Sequence, residues 1–213
     1  MEKLLHGLHK FQSEIHPGRK DFFEGLAKGQ NPDAIFITCS DSRVDPSLIT
    51  QTQPGQLFTI RNAGNIVPAA GNSSGEEASI EYGIDVLNIR DIIVCGHSHC
   101  GAMKGLLNPE TLSEIPSVAN WLKYAEDTRR ILDANYREQD FECVLNITVQ
   151  ENVLVQLEHV RSLPCVIDAL AKGKVQLHGW TYEIETGVIY AYDPEAEEFT
   201  PLLGQQSNIL AKK

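Results

Sequence analysis

The chain has 213 residues, 42% of them hydrophobic, enough for one α/β domain with a full core. Its formal net charge is −11, with no Lys/Arg block and no basic stripe interleaved with aromatics, which argues against nucleic acid as a partner and against a large polyanionic substrate. No apolar run approaches the ~18 residues of a membrane span, and the start, Met1 to Lys10, is broken by His6, Gly7 and His9 rather than built like a secretory signal. A cytoplasmic protein without a membrane span is expected. Five cysteines without a regular framework read as reduced thiols, and Cys95, Cys143 and Cys165, set in apolar runs, read as small core hydrophobes.

Residues 4 to 28 read as two amphipathic helices broken at Pro17-Gly18. Ala34 to Thr38 is a short apolar run that reads as a buried strand ending at Cys39, and Leu57 to Ile60 is a second strand. Residues 62 to 75, rich in Gly, Asn and Ser, read as a long loop, and Glu76 to Asn88 has helical periodicity. Asp91 to Cys95 is a third strand running into His97, with a short helix over Gly101 to Leu107. A longer helix is expected over Ser117 to Ala134, a fourth strand over Cys143 to Val149, and a helix over Val153 to Leu170 with Pro164 as a break. Val175 to Leu177 opens a last stretch, in which Trp180 to Ile184 and Val188 to Tyr192 flank Glu185-Thr186-Gly187 as a hairpin. His178 reads as a hydrogen-bonded core residue, and the acidic run Asp193 to Glu198 as a solvated face. Strands alternating with helices predict an α/β fold, a single domain whose central, mostly parallel sheet of four to five strands is flanked by helices. No internal repeat or Pro/Gly/Ser-rich linker divides residues 1–213; residues 1–28 form an N-terminal helical arm and 193–213 a C-terminal tail.

Cys39, His97 and Cys100 stand out, with Asp41 and Arg43 beside the first. The segments Cys39-Ser40-Asp41-Ser42-Arg43 and His97-Ser98-His99-Cys100 each follow a strand-like run, where open α/β sheets place their ligands. Two thiolates and one imidazole suit zinc, and three protein ligands leave a fourth position open, as in catalytic rather than structural sites. Two thiolates cancel the formal charge of Zn²⁺, so bound water is acidified less than in a three-histidine site. Arg43 can neutralise Asp41 through a bidentate pair and fix its direction, letting it accept a hydrogen bond from zinc-bound hydroxide. The residues alone leave two alternatives open: a structural Asp–Arg pair or turn cap, and Asp41 itself closing the fourth position on zinc.

These motifs resemble the β-class carbonic anhydrases. Cys-Ser-Asp-Ser-Arg and His-Ser-His-Cys-Gly are the two signatures, and Ile60-Arg61-Asn62-Ala63-Gly64-Asn65 and Glu81-Tyr82-Gly83 between them are also family-like. The resemblance runs from about Asp21 to Tyr192, and Cys95 to Leu107 is most similar to the cyanobacterial carboxysomal branch, whose members usually carry a longer C-terminal tail than the one ending here at Lys213. It implies reversible hydration of CO₂ to bicarbonate and a proton by zinc-bound hydroxide, with one Zn²⁺ per subunit on Cys39, His97 and Cys100 and with Asp41 and Arg43 as the catalytic pair. It also implies a substrate pocket with Gln30, Phe58 and Tyr82, and the Gly101 N–H at a helix start is a further donor for developing oxygen charge. Read alone, Phe58 is a core residue, Tyr82 a core or rim residue and Gln30 a solvated turn residue. Phe36 stands where one branch has a Trp that builds an inhibitory bicarbonate site, so no bicarbonate-driven switch is expected. His99 is either a solvated loop histidine or a proton shuttle. The family's N-terminal helices embrace a second subunit, with the active-site cleft at the dimer interface. A homodimer or dimer-based oligomer is therefore implied, with Leu5, Leu8 and Phe11 as contacts, together with a carboxysome shell or scaffold protein as a partner. The same site chemistry fits hydrolysis of CS₂ or COS, and a capped zinc would suit a non-catalytic assembly scaffold.

Overall fold

A computed structural model describes residues 1–136 and 140–202, which divide into two compact units meeting at Asn31 and Pro32. The N-terminal unit is helical: α1 (Glu2–Lys10), a π-helical turn (Phe11–Ile15), α2 (His16–Gly18) and α3 (Lys20–Leu26). The helical path runs through Pro17-Gly18 and breaks one residue later, at Arg19 (φ −130°, ψ 31°). A proline inside a helix removes a hydrogen bond and crowds the preceding turn. Here the turn before it is widened, and the His16 N–H reaches back to the Phe11 carbonyl. None of these helices buries a residue; Leu4, Leu5 and Leu8 are 70%, 58% and 52% exposed.

The second unit holds β1 (Ala34–Cys39), α4 (Pro46–Thr50), β2 (Leu57–Asn62), α5 (Gly75–Asp85), β3 (Asp91–His97), α6 (Gly101–Leu107), α7 (Pro116–Leu122), α8 (Glu126–Asn135), α9 (Phe141–Ser162), α10 (Pro164–Ala171), β4 (Gln176–Tyr182), β5 (Ile189–Asp193) and β6 (Glu198–Pro201). The six strands form one sheet in the order β2-β1-β3-β4-β5-β6. The first four are parallel, and β4, β5 and β6 are joined antiparallel. All six residues of β1 are buried, as a central parallel strand covered on both faces requires. The chain leaves β1 for β2 on one side and later supplies β3 on the other, so the carboxyl ends of β1 and β3 lie at a topological switch point. The α/β class and the mainly parallel sheet are as expected. Among the described residues, no helix is long and apolar enough to cross a membrane.

The sheet has six strands rather than the expected four to five, and three further expectations need correction. Cys143 to Val149 is not a strand; it opens the 22-residue helix α9, capped by the Asp140 carboxylate, which accepts the Cys143 N–H at 3.1 Å. A short β-branched apolar run cannot be told from a buried helix by periodicity alone, and burial of Leu145, Thr148, Val149, Asn152, Val153 and Gln156 shows helical spacing. The helix expected over 117–134 is two, α7 and α8, divided by a 3₁₀ turn at Lys123–Ala125, with Glu126 and Asp127 favouring the new N-terminus. The stretch from Asp193, expected as a tail, supplies β6, which pairs with β5 from Asp193↔Glu198 to Tyr190↔Pro201. The residues from 203 onward lie outside the described ones.

Helix α9 lies on the sheet over two glycines. A Cβ on Gly96 would fall 2.8 Å from Val149 Cγ1 and 3.0 Å from Val153 Cγ2; one on Gly179 would fall 2.8 Å from Leu157 Cδ1. Gly96→Ala is therefore expected to destabilise by about 1–3 kcal/mol through overpacking. A urea titration of both variants checks this, with Gly75→Ala, which has nothing within 4 Å of its added carbon, expected to stay close to the parent.

Candidate metal centre

Cys39 ends β1, His97 ends β3, and Cys100 caps α6 after the two-residue turn Ser98-His99, in which His99 adopts a left-handed backbone (φ 54°). The three ligand atoms lie within 4.8 Å of one another, and all three residues are buried. The Cys39 and Cys100 sulfurs are 4.0 Å apart, unlinked by a disulfide. Tetrahedral zinc with Zn–S of about 2.3 Å separates two sulfurs by about 3.8 Å. His97 Nδ1 lies 2.9 Å from the Ser98 carbonyl, to which it must donate, so Nε2 carries the lone pair. That Nε2 is buried with no hydrogen-bond partner. An orphaned imidazole nitrogen facing two thiols is costly unless a cation fills the space, and the donor set fits zinc.

The thiol pair is electrostatically uneven. The hydrogen bond shared with Cys100 pulls the Cys39 thiol down against its burial, helped by His97 and by the Gly64 N–H at 3.4 Å from its sulfur. Cys100 is pushed up by the same hydrogen bond and by its own burial. Two adjacent thiolates need a cation to coexist there. Cys95, fully enclosed, is pushed up to about 12 by burial, as a core thiol should be.

Asp41 faces this centre with Oδ2 3.9 Å from His97 Nε2. Arg43 grips both carboxylate oxygens, donating from Nε to Oδ1 (2.9 Å) and from Nη2 to Oδ2 (2.7 Å), and its backbone N–H adds a third bond (3.0 Å). These bonds hold the Asp41 carboxyl well below the usual carboxylate range. Arg43 Nη2 also donates to the His99 carbonyl at 3.2 Å.

Sequence reasoning missed the residues that hold this backbone. Arg61 donates from Nε to the Cys39 carbonyl (3.0 Å) and from Nη2 to the Asp41 carbonyl (2.8 Å). The loop that presents the Gly64 N–H is tied from α9: Asn152 Nδ2 donates to the Gly64 carbonyl (3.0 Å), and Gln156 Oε1 accepts the Val67 N–H (2.8 Å). Gln156 Nε2 in turn donates to Asn152 Oδ1 at 3.1 Å. The available signal was a pair of amides four residues apart in an apolar run, the spacing of one helix face. Gly64 is left-handed (φ +84°), and an added Cβ would sit 3.0 Å from Ala102 Cβ.

Of the expected pocket residues in the second unit, Gly101 adjoins Cys100, whereas Phe58 stands apart from the centre. Phe58 pairs with Ile35, four residues before Cys39, so it lies about 13 Å back along the sheet. It stacks on Tyr82 with ring centroids 6.2 Å apart, and Tyr82 is 45% exposed. Gly101 opens α6, and nothing lies within 4 Å of a Cβ built on it. Gln30 belongs to the N-terminal unit. Phe36 is fully buried against Trp180, with ring centroids 6.0 Å apart. His178 Nε2 meets Asp91 Oδ1 at 2.7 Å.

The fold and this centre match known proteins. A family model described as carbonic anhydrase matches residues 34–189. A carbonic anhydrase of Synechococcus elongatus is 51% identical over 191 residues, covering 89% of this chain and 70% of that protein. The structure of the β-carbonic anhydrase CcaA superposes with a TM-score of 0.92 at 47% identity, covering 94% of this chain and 91% of that one. Tetrameric β-carbonic anhydrases of the ascomycete Sordaria macrospora are similar at a TM-score of 0.78 and 28% identity, over 89% of this chain and 95% of theirs. The chain belongs to the β-class carbonic anhydrases and is an enzyme of that family.

Asn152→Ala is expected to cost about 1–3 kcal/mol in a urea titration of the metal-free protein, because it leaves the buried Gly64 carbonyl unpaired.

Proposed function

We propose that Cys39, His97 and Cys100 hold one zinc ion and that the enzyme hydrates CO₂ reversibly to bicarbonate and a proton. The observation that carries this reading is the unpartnered, buried His97 Nε2 beside two sulfurs 4.0 Å apart, with an oriented carboxylate 3.9 Å away. When bound, zinc supplies Lewis acidity that activates water at its open position, less strongly than in a three-histidine site because two thiolates cancel its charge.

The remaining work falls to the chain. Asp41 is an acceptor only, since Arg43 keeps it ionised. With Oδ1 taken up by two Arg43 donors, Oδ2 is the atom that orients the attacking water's proton. Arg43 acts on Asp41, and Arg61 fixes the backbone on either side of Ser40. The Gly101 N–H, in the first turn of α6, is proposed as a donor to the oxygen that gains charge. Gln30, Phe58 and Tyr82 are proposed to complete the pocket across a homodimer. That arrangement accommodates the distance of Phe58 from Cys39 and gives the exposed Leu5, Leu8 and Phe11 a partner surface. The tetrameric relatives support assembly from dimers. A cytoplasmic location is proposed from the sequence pattern, and a carboxysomal one, with a carboxysome shell or scaffold partner, from the resemblance to the cyanobacterial branch.

Stopped-flow CO₂ hydration under reducing conditions, on protein of known zinc content, tests the reading. Asp41→Ala is expected to lower kcat by about a hundredfold while zinc content holds. Absence of hydration by zinc-loaded parent protein would overturn the assignment, and CS₂ would be the next substrate. The rate is also expected to climb from pH 7 to 9. Asp41 stays ionised across that window because its pKa is depressed, so the rise reports water activation at the metal; a flat profile from pH 6 to 9 would refute it.

A further inference from the structure

The turn between β4 and β5 reaches the segment between His97 and Cys100. Glu183 N–H donates to the Val188 carbonyl (2.9 Å), and Gly187, left-handed at φ +75°, donates to the Glu183 carbonyl (2.9 Å), closing the turn around Glu185. Three hydrogen bonds from this hairpin converge on Ser98. The Ser98 N–H donates to the Tyr182 carbonyl (2.9 Å), its hydroxyl accepts the Ile184 N–H (3.0 Å), and the same hydroxyl donates to Glu185 Oε2 (3.0 Å). The other oxygen of Glu185 pairs with His99 Nε2, while His99 Nδ1 lies 3.6 Å from Glu142 Oε2.

Ser98 and His99 matter through their carbonyls. The Ser98 carbonyl accepts from His97 Nδ1 at 2.9 Å and so sets which imidazole nitrogen is left for a metal. The His99 carbonyl accepts from Arg43 Nη2 at 3.2 Å, and Arg43 aims Asp41. One carboxylate therefore grips the side chains of two consecutive residues whose backbones serve the ligand and the acceptor. His99 is held in a left-handed conformation that a side chain other than glycine seldom adopts, so the turn needs an outside tether.

We propose that Glu185 is a positioning residue of the metal centre, acting through Ser98 on His97 and through His99 on Arg43 and Asp41. Glu185 touches neither a ligand atom nor Asp41, and it is half exposed, so a solvated turn residue is the alternative it must be tested against. The inference rests on the zinc reading above, and its first readout is metal retention rather than turnover.

Zinc-loaded parent, Glu185→Ala, Glu185→Gln and Ser98→Ala would be mixed with excess chromophoric chelator and zinc release followed. Removal of an outer-shell partner typically costs 10–100-fold in metal affinity or activity, so Glu185→Ala and Ser98→Ala are expected to release zinc about tenfold faster. Glu185→Gln, which keeps an acceptor for the Ser98 hydroxyl, is expected to fall between. In CO₂ hydration kcat should drop in the same order with KM unchanged, and the metal-free proteins should melt together. Parent-like zinc release from both alanine variants would overturn the inference while leaving the zinc reading intact. So would a lowered melting temperature of the metal-free variants without faster release, which assigns the turn a structural role only. A parent protein that holds no zinc would overturn both.

Discussion

The centre depends on the pairing of β1 with β3. Their parallel register, Thr38 opposite Cys95, brings Cys39 and His97 to neighbouring strand ends, and Cys100 follows within one short turn. The consequence is an arrangement that is poor in isolation: two thiols that resist ionising together and an imidazole nitrogen with nothing to bond. Such a cluster persists because the rest of the fold forces it, and a divalent cation relieves both defects at once.

What forces it is mostly backbone hydrogen bonding at one remove. Arg61 holds the carbonyls flanking Ser40, and the Asn152–Gln156 pair holds the loop that points the Gly64 N–H at Cys39. Both amides are buried and mutually bonded, so α9 acts as a rigid template rather than as filler. The glycines at 96 and 179 let that helix close on the sheet; a bulkier residue at 96, next to His97, would push against Val149. Burial around the centre and precision at the centre therefore share a cause.

The charge distribution follows the same economy. Asp41 is surrounded by Arg43 donors, so its ionisation is secured locally, despite a chain whose net charge is −11. The guanidinium supplies two parallel donors to the Asp41 carboxylate where an ammonium would supply a point charge. Large apolar side chains stay exposed on the N-terminal helices, as do Tyr82 on α5 and Ile167 on α10.

The clustering of Cys39, His97 and Cys100, the Asp41–Arg43 pair and the parallel strands beneath them were legible in the sequence. They are written in short motifs whose spacing and strand context survive without knowledge of anything distant. The α/β class was legible for the same reason, through alternating periodicities. Cys143 to Val149 misled because a β-branched apolar run satisfies a strand and a buried helix equally, and only the partners of Asn152 and Gln156, nearly ninety residues away in the chain, decide between them. The β6 strand was hidden because an edge strand half covered by solvent need not look apolar. Tertiary structure alone brought Arg61 to the Cys39 and Asp41 carbonyls, Glu185 to Ser98, and Phe58 to the far end of its strand from Cys39. Those relations are set by packing between segments far apart in the chain, which no local pattern encodes.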